Sequence, residues 1–356
     1  MLNILRGWFH RYFADEEAVL LALLLTVALV VMLTMGTILA PMIASVVIAF
    51  LLQGMVSRLE SWGMPHLGAV TVAFLVLVGM LAASMLVLLP AIWAQSIKLF
   101  SEVPRMLTEW QQLLLLLPEQ YPNLISESQI EQLISMAGRE LGGLGQSIVS
   151  FSVTNLPVLV TVLVYLILVP ILVFFFLKDS DAIIEWAASF LPKERPVMSK
   201  IWHEMNDQIA NYVRGKVMEI FIVAAVSYVA FAILKLNYAI LLALAVGLSV
   251  VVPYIGAAVV TLPVAMIGFF QWGWGSEFFY LLLVYGIIQG LDGNVLVPLL
   301  FSEAVNLHPV AIILAVLVFG GLWGFWGVFF AIPLATLIKA ILYAWPLEDQ
   351  EAMVAD

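Results

Sequence analysis

Residues 159–177 read LVTVLVYLILVPILVFFFL, a run without a single charged side chain. An α-helix needs roughly 20 mostly apolar residues to cross a hydrocarbon core about 30 Å thick. The run also lacks the alternation of polar and apolar residues that is typical of membrane barrel strands. This stretch therefore predicts a membrane-spanning helix.

The rest of the chain has the same character. Of its 356 residues, 64% are hydrophobic and only 11% are charged, which is more apolar surface than a soluble fold can bury. Apolar runs predict helices near residues 18–36, 38–56, 66–90, 156–177, 217–234 and 278–297. The sequence therefore predicts an all-α, polytopic helical membrane protein.

Two longer apolar blocks, 238–270 and 309–344, are each interrupted by glycine, proline and aromatic residues. The interruptions are PYIGA at 253–257 and GGLWGFWG at 320–327. The arms on either side are short for a full crossing, so re-entrant hairpins and tightly paired short helices both remain open. With these two broken hairpins, the chain has about eight membrane segments. The predicted turn residues are Pro253, Gly256, Gly320, Gly324, Gly327 and Pro333.

The lysines and arginines predict an orientation, because cytoplasmic loops of membrane proteins are enriched in them. A cytoplasmic N-terminus leaves only Lys98, Arg105, Arg139 and Lys235 outside, and it also makes the C-terminus cytoplasmic. The helix at 217–234 with its hairpin and the helix at 278–297 with its hairpin then run in opposite directions. Inverted repeats with interrupted segments indicate the binding site of a secondary transporter. The alternative is that the glycines and prolines only allow close helix packing.

These features divide the chain into five regions. Residues 1–90 form the N-terminal membrane helices, and residues 91–155 form an extracytoplasmic amphipathic helical segment. Residues 156–213 contain a membrane helix and a cytoplasmic amphipathic helix. Residues 214–345 contain the two inverted units, and residues 346–356 form an acidic cytoplasmic tail. The amphipathic segment at 91–155 is expected to lie on the membrane or against a neighbouring subunit. The cytoplasmic one is expected to continue directly into the next span.

Residues 285–298, YGIIQGLDGNVLVP, place polar groups inside an apolar segment. Tyr285, Gln289 and Asp292 are spaced by four and three residues, so they share one helical face, and Asn294 follows. A carboxylate at membrane depth costs a few kcal/mol. Asp292 is therefore expected to face a partner or a water-filled cavity.

The matching helix of the first unit carries Arg214, Lys216 and Glu219 at a similar depth. Two interpretations follow. Arg214 and Asp292 could form a structural ion pair, or these polar groups could line the pathway of a solute or an ion.

The sequence argues against an enzyme. It contains no GxxxxGK[ST], HExxH or GxSxG motif, it has no cysteine, and its four histidines lie in different regions. We therefore expect no catalytic residues, no metal site and no cofactor. The net charge of −10 gives no reason to expect a nucleic-acid partner.

The run QGLDGNVLVPLLFSEAVNLHPVAIILAVLVFGGLWGFWGVFFAIPLATLIKAIL is similar to the C-terminal signature of the autoinducer-2 exporter family, also called PerM-like permeases. FFFLKDSD, YVRGKVMEI and VPYIGA resemble its other landmarks in the same order. The resemblance covers nearly the whole chain, although the family usually has glutamate in place of Asp292. It implies a transporter of the bacterial inner membrane that assembles as a homo-oligomer, with a pentamer as the candidate form.

Our leading hypothesis is a gradient-driven transporter that exports a small polar solute such as autoinducer-2 from a site between the two hairpins. The first alternative is a Na⁺ or cation/proton antiporter of the same family, with Asp292 as the titrating group. The second alternative is a membrane scaffold that transports nothing. In all three hypotheses the protein is embedded in the lipid bilayer.

Overall fold

The computed structural model describes residues 16–120, 156–301 and 307–344, with a few isolated positions between 128 and 139. This part of the chain is helical and contains no strand. Eight helical segments in it are long and apolar enough to cross a membrane, and the first two of them are consecutive parts of one helix. The predicted fold class, an all-α polytopic membrane protein, is confirmed.

The helices follow one another in a simple order. Their bounds are α1 Glu16–Ser61, α2 His66–Ala83, α3 Leu89–Gln120, α4 Leu156–Lys178, α5 Ser180–Ala188, α6 Pro196–Ile233, α7 Ala239–Ser249, α8 Ile255–Trp272, α9 Ser276–Leu291, α10 Val297–Phe301, α11 Pro309–Phe329 and α12 Ala331–Ala344. Two π-helical turns, Ser84–Leu88 and Asp292–Leu296, join α2 to α3 and α9 to α10.

The N-terminal region differs from the prediction of two separate helices at 18–36 and 38–56. Helix α1 has 46 residues and runs through Pro41 without a break, so its helical rise is about 69 Å. A chain reversal in lipid would expose unpaired backbone groups, and a continuous helix avoids that exposure. The hydroxyl of Ser45 donates to the carbonyl oxygen of Pro41 at 2.6 Å. The boundary at residue 90 is not a break either, because helix continues from His66 to Gln120.

One end of α1 contacts the first turn of α6, and the other end is linked to the last residue of α4 through His66 of α2. At one end, the carboxylate of Glu17 accepts a hydrogen bond from the backbone N–H of Met198 at 2.6 Å. At the other end, Glu60 contacts Nδ1 of His66 at 2.6 Å, and Nε2 of His66 lies 3.2 Å from the carbonyl oxygen of Lys178. The N-terminal end of this long helix is thus anchored directly to α6, and its C-terminal end is anchored to α4 through one histidine.

Helix α6 combines the predicted amphipathic helix and the predicted span in one continuous element, as the sequence suggested. Its first half buries Met198, Ile201 and Met205 against Leu21 of α1 and Ala340 of α12. Its second half joins the two hairpins. One core packs it against α7, α8 and α9, and another packs it against α1, α10, α11 and α12. Because α6 contacts both hairpins, it fixes the space between them.

Each hairpin has a glycine at a point of close backbone contact. A Cβ atom at Gly256 would overlap the carbonyl oxygen of Ser249, and one at Gly327 would overlap that of Phe319. In the second hairpin, the helical path of α11 is interrupted at Gly324, with φ 59° and ψ −135°. Glycine adopts this conformation without a steric penalty.

Helix α3 packs against the open end of the first hairpin. The side-chain oxygen of Gln95 accepts a hydrogen bond from the backbone N–H of Leu241 at 3.1 Å. The rings of Trp110 and Phe270 lie 6.2 Å apart between centroids. The segment after residue 90 and the base of this hairpin therefore lie side by side.

Candidate functional site

A cavity of about 610 Å³ lies where the two hairpins approach α6 and the π-helical turn after α9. This volume is in the range of small-molecule binding pockets. Most of the wall is apolar. The residues that define its position are Lys216 and Glu219 on α6, Pro253 at the first hairpin turn, Asp292 on the π turn, and Ile312 and Ile332 of the second hairpin.

An ion pair is buried on the α6 side of the cavity. Nζ of Lys216 lies 2.6 Å from Oε2 of Glu219, and the two side chains are 5% and 2% exposed. The same ammonium donates a hydrogen bond to the carbonyl oxygen of Val250 at 3.1 Å. It also lies 5.0 Å from the ring centroid of Phe301. One lysine thus contacts its own helix, the turn of the first hairpin and the segment that leads to the second.

Asp292 is the third charged group of the cavity. It begins the π-helical turn Asp292–Leu296, and such turns frequently occur at functional sites. Its Oδ1 atom is buried and has no hydrogen-bond partner among the described residues. A buried carboxylate oxygen without a partner is free to contact a ligand or an ion.

The other amides and the tyrosine occupy different positions. Gln289 lines the cavity and donates to the hydroxyl of Tyr285 at 3.1 Å. Tyr285 is itself buried in the core behind it, where Thr261 also donates to its hydroxyl at 3.3 Å. Asn294 does not line the cavity, since its side chain is bonded to the carbonyl oxygen of Gly290 at 2.9 Å. Of the polar residues in this stretch, Gln289 and Asp292 face the space between the hairpins.

Arg214 lies outside the cavity. Its side chain is exposed, and its guanidinium lies 5.6 Å from the ring centroid of Phe50 on α1. The ion pair with Asp292 that the sequence allowed is not formed, and Lys216 is the cation that lines the cavity instead. The sequence contained a signal for this arrangement, because Lys216 and Glu219 are spaced for contact on one helical face.

The predicted hairpin residues also occupy different positions. Pro253 lines the cavity, whereas Gly256 and Gly327 lie at the close backbone contacts of the two hairpins. A Cβ at Gly320 would meet the side chain of Val328 at 2.8 Å, while one at Gly324 would meet nothing within 4 Å. Pro333 accepts a hydrogen bond from Thr336 at 2.9 Å within α12.

Among the described residues, no three His, Cys, Asp or Glu side chains are grouped in a way that could hold a metal ion. The charged cavity groups are two carboxylates and one ammonium, with a formal sum of −1. Together the fold and the site define a polytopic helical membrane protein with a cavity between two helical hairpins that contains three charged side chains.

Comparison with known proteins agrees with this class. The chain belongs to the AI-2E family of transporters, whose family model matches residues 18–347. It is 45% identical over 346 residues to "Putative permease PerM" of Escherichia coli (strain K12), covering 97% of this chain and 98% of that protein. It is 27% identical to "Putative transport protein YueF" of Bacillus subtilis (strain 168), covering 86% and 83% of the two chains. The family resemblance that the sequence motifs indicated is confirmed.

Proposed function

We propose that this protein moves a small polar solute across the bacterial inner membrane, driven by an ion or solute gradient, through the cavity between its two hairpins. In this proposal both termini are cytoplasmic, the solute leaves the cell, and autoinducer-2 is the first cargo to test. The names of its relatives, permease and transport protein, support transport as the general activity. The absence of a phosphate-binding loop from the sequence favours a gradient as the energy source.

The observation that carries the proposal is the placement of Lys216, Glu219 and Asp292 around one cavity. Three ionisable side chains inside an apolar bundle are costly, and apolar residues of similar size would fill the same space more stably. Such groups in a membrane bundle most often belong to a substrate or ion pathway. Their convergence between the turn of the first hairpin and the arms of the second supports a binding site at that point.

The chemistry of the cavity suits a neutral, hydrogen-bonding solute. The carboxylate oxygens of Glu219 and Asp292 accept hydrogen bonds, while the amide of Gln289 both donates and accepts them. These groups can replace the water that a polar solute loses when it enters the bundle. The formal charge of −1 disfavours an anionic cargo, because like charges repel strongly in a low-dielectric site.

Cation/proton antiport is the second candidate, and the partnerless oxygen of Asp292 favours it. A proton or one alkali cation at this carboxylate would bring the formal charge of the cavity to zero. In the antiport mechanism, a proton and a sodium ion or another cation bind the same carboxylates alternately. Binding of one then excludes the other, and this competition couples their opposite movements.

The test is transport by purified protein in liposomes. Solute flux is measured with a panel that includes autoinducer-2, and sodium and proton fluxes are measured under imposed gradients, for the parent protein and for Asp292→Asn. Solute flux that the variant abolishes supports the first proposal. Sodium-dependent proton flux without solute flux supports the second. Absence of all fluxes in oriented, folded protein refutes both and favours the scaffold hypothesis.

A further inference from the structure

The turn of the first hairpin has a strained backbone. Tyr254 has φ 63° and ψ −49°, and the N–H of Ile255 donates to the carbonyl oxygen of Pro253 at 2.7 Å. This geometry is close to the γ-turn with positive φ, a rare and strained conformation for a residue with a side chain. Tyr254 and Pro253 both line the cavity. A strained turn in this position persists only if neighbouring contacts hold it.

Lys216 is the contact that connects this turn to the charges of the cavity. Its ammonium is bonded to the carbonyl oxygen of Val250, just after the last residue of α7. The carbonyl end of a helix attracts a positive charge, which strengthens this bond. The same ammonium is paired with Glu219, so the turn and the carboxylate share one cation.

The groups that act on Lys216 come from several elements. Glu219 on α6 pairs with it, and the carboxylate of Asp292 on the π turn lies within electrostatic range. Phe301 of α10 presents its ring to the ammonium. The remaining titratable residues of the lining are Tyr212 and Tyr254. With both carboxylates ionised, the cation is paired with Glu219, bonded to the helix end, and shares the cavity with a second negative group.

We propose that Lys216 is the positioning residue that couples occupation of the cavity carboxylates to the conformation of the first hairpin turn. A single positive charge that reaches Glu219 or Asp292, delivered by a proton or by an alkali cation, weakens the hold on the ammonium. Lys216 then leaves the carbonyl of Val250, and the strained turn at Tyr254 relaxes and opens. A proton comes from the adjoining water and is taken up by a carboxylate, so the cavity changes from −1 to neutral. This inference rests on the proposed function of the same cavity.

The test uses a cysteine reporter, which is practical because the chain contains no cysteine. Ala257→Cys places the thiol in the cavity wall beside the turn. The rate at which this thiol reacts with a water-soluble maleimide is measured on the full-length protein in detergent. One comparison is between acidic and alkaline buffer. The other replaces choline by sodium at constant ionic strength. The rate is divided by that of Lys193→Cys, an exposed site in the connection before α6, to remove the intrinsic pH dependence of thiol reactivity.

We expect the normalised rate to rise about tenfold on acidification or on addition of sodium, which corresponds to about 1.4 kcal/mol in the opening equilibrium. Dependence on pH alone identifies the proton as the source of the charge, and dependence on sodium at constant pH identifies the alkali cation. Lys216→Arg should keep the response, since arginine keeps the charge and the donors. Lys216→Met should react at the high rate under all conditions.

The double variant Lys216→Met/Glu219→Gln removes both charges together and guards against misfolding of the single variant; it should behave like Lys216→Met. Arg214→Met, two residues away and outside the cavity, should retain the full response. A parent rate that is constant or falls, or a response that survives in Lys216→Met and in the double variant, overturns the proposal. The labelling needs no transport, so a response without flux in liposomes refutes only the proposed function, and flux without a response refutes only the role of Lys216.

Discussion

Replacement of Lys216 by methionine should destabilise the protein far more than replacement of Arg214, although the two cations are separated by one residue on α6. Lys216→Met removes a 2.6 Å ion pair and a 3.1 Å hydrogen bond, and it leaves the carboxylate of Glu219 unpaired at 2% exposure. Breaking one side of such a buried pair costs about 3–5 kcal/mol. Arg214→Met loses an exposed contact with the ring of Phe50, a loss of about 0.5–1 kcal/mol.

The difference of about 2–4 kcal/mol is measured as the free energy of unfolding in mixed micelles of a mild detergent and dodecyl sulfate. The double variant Lys216→Met/Glu219→Gln is the matched control. It removes the stranded charge, and an ion pair replaced by neutral groups of similar size often has little effect on stability. The double variant should therefore recover most of the lost stability. Equal destabilisation by Lys216→Met and Arg214→Met would refute the assignment of Lys216 as the buried cation of the cavity.

Three further predictions test other parts of the molecule. Asp292→Asn should change the free energy of unfolding by less than about 1 kcal/mol, because Asp292 forms no ion pair with any described residue. The variant should abolish flux in liposomes, while Asp292→Glu should remain active. Full activity of a stable Asp292→Asn would exclude the carboxylate from the pathway. Gly256→Val and Gly327→Val should each abolish flux, since a side chain would overlap the facing carbonyl oxygens, while some folded protein remains in the membrane. Normal flux in both variants would mean that these glycines serve only close packing. A cysteine at Gly275 should react with a label in intact cells, whereas a cysteine at Lys193 should react only after permeabilisation. The reverse pattern would contradict the predicted orientation.

Much of the fold could be predicted because its determinants are local. A long apolar run such as 159–177 predicts a spanning helix wherever it occurs, and glycines such as Gly256 mark points where the backbone approaches another chain segment closely. The prediction of two separate helices at 18–36 and 38–56 is wrong, because one helix continues through both ranges. In lipid a continuous helix satisfies more backbone hydrogen bonds than a turn does. The predicted orientation also makes Glu303 and the C-terminus cytoplasmic, and both lie outside the described residues.

The sequence by itself determined the class of protein and the polar residues at membrane depth, because composition and spacing are properties of the chain alone. It could not select between Arg214 and Lys216, which lie at nearly the same depth on one helix. Two residues along a helix are about 200° apart around its axis, so only one of the two can face a given neighbour. Packing of α6 against both hairpins turned Lys216 and Glu219 towards Asp292 and left Arg214 against Phe50. The tertiary structure decided the site because the direction of a side chain depends on which face of its helix the other helices cover.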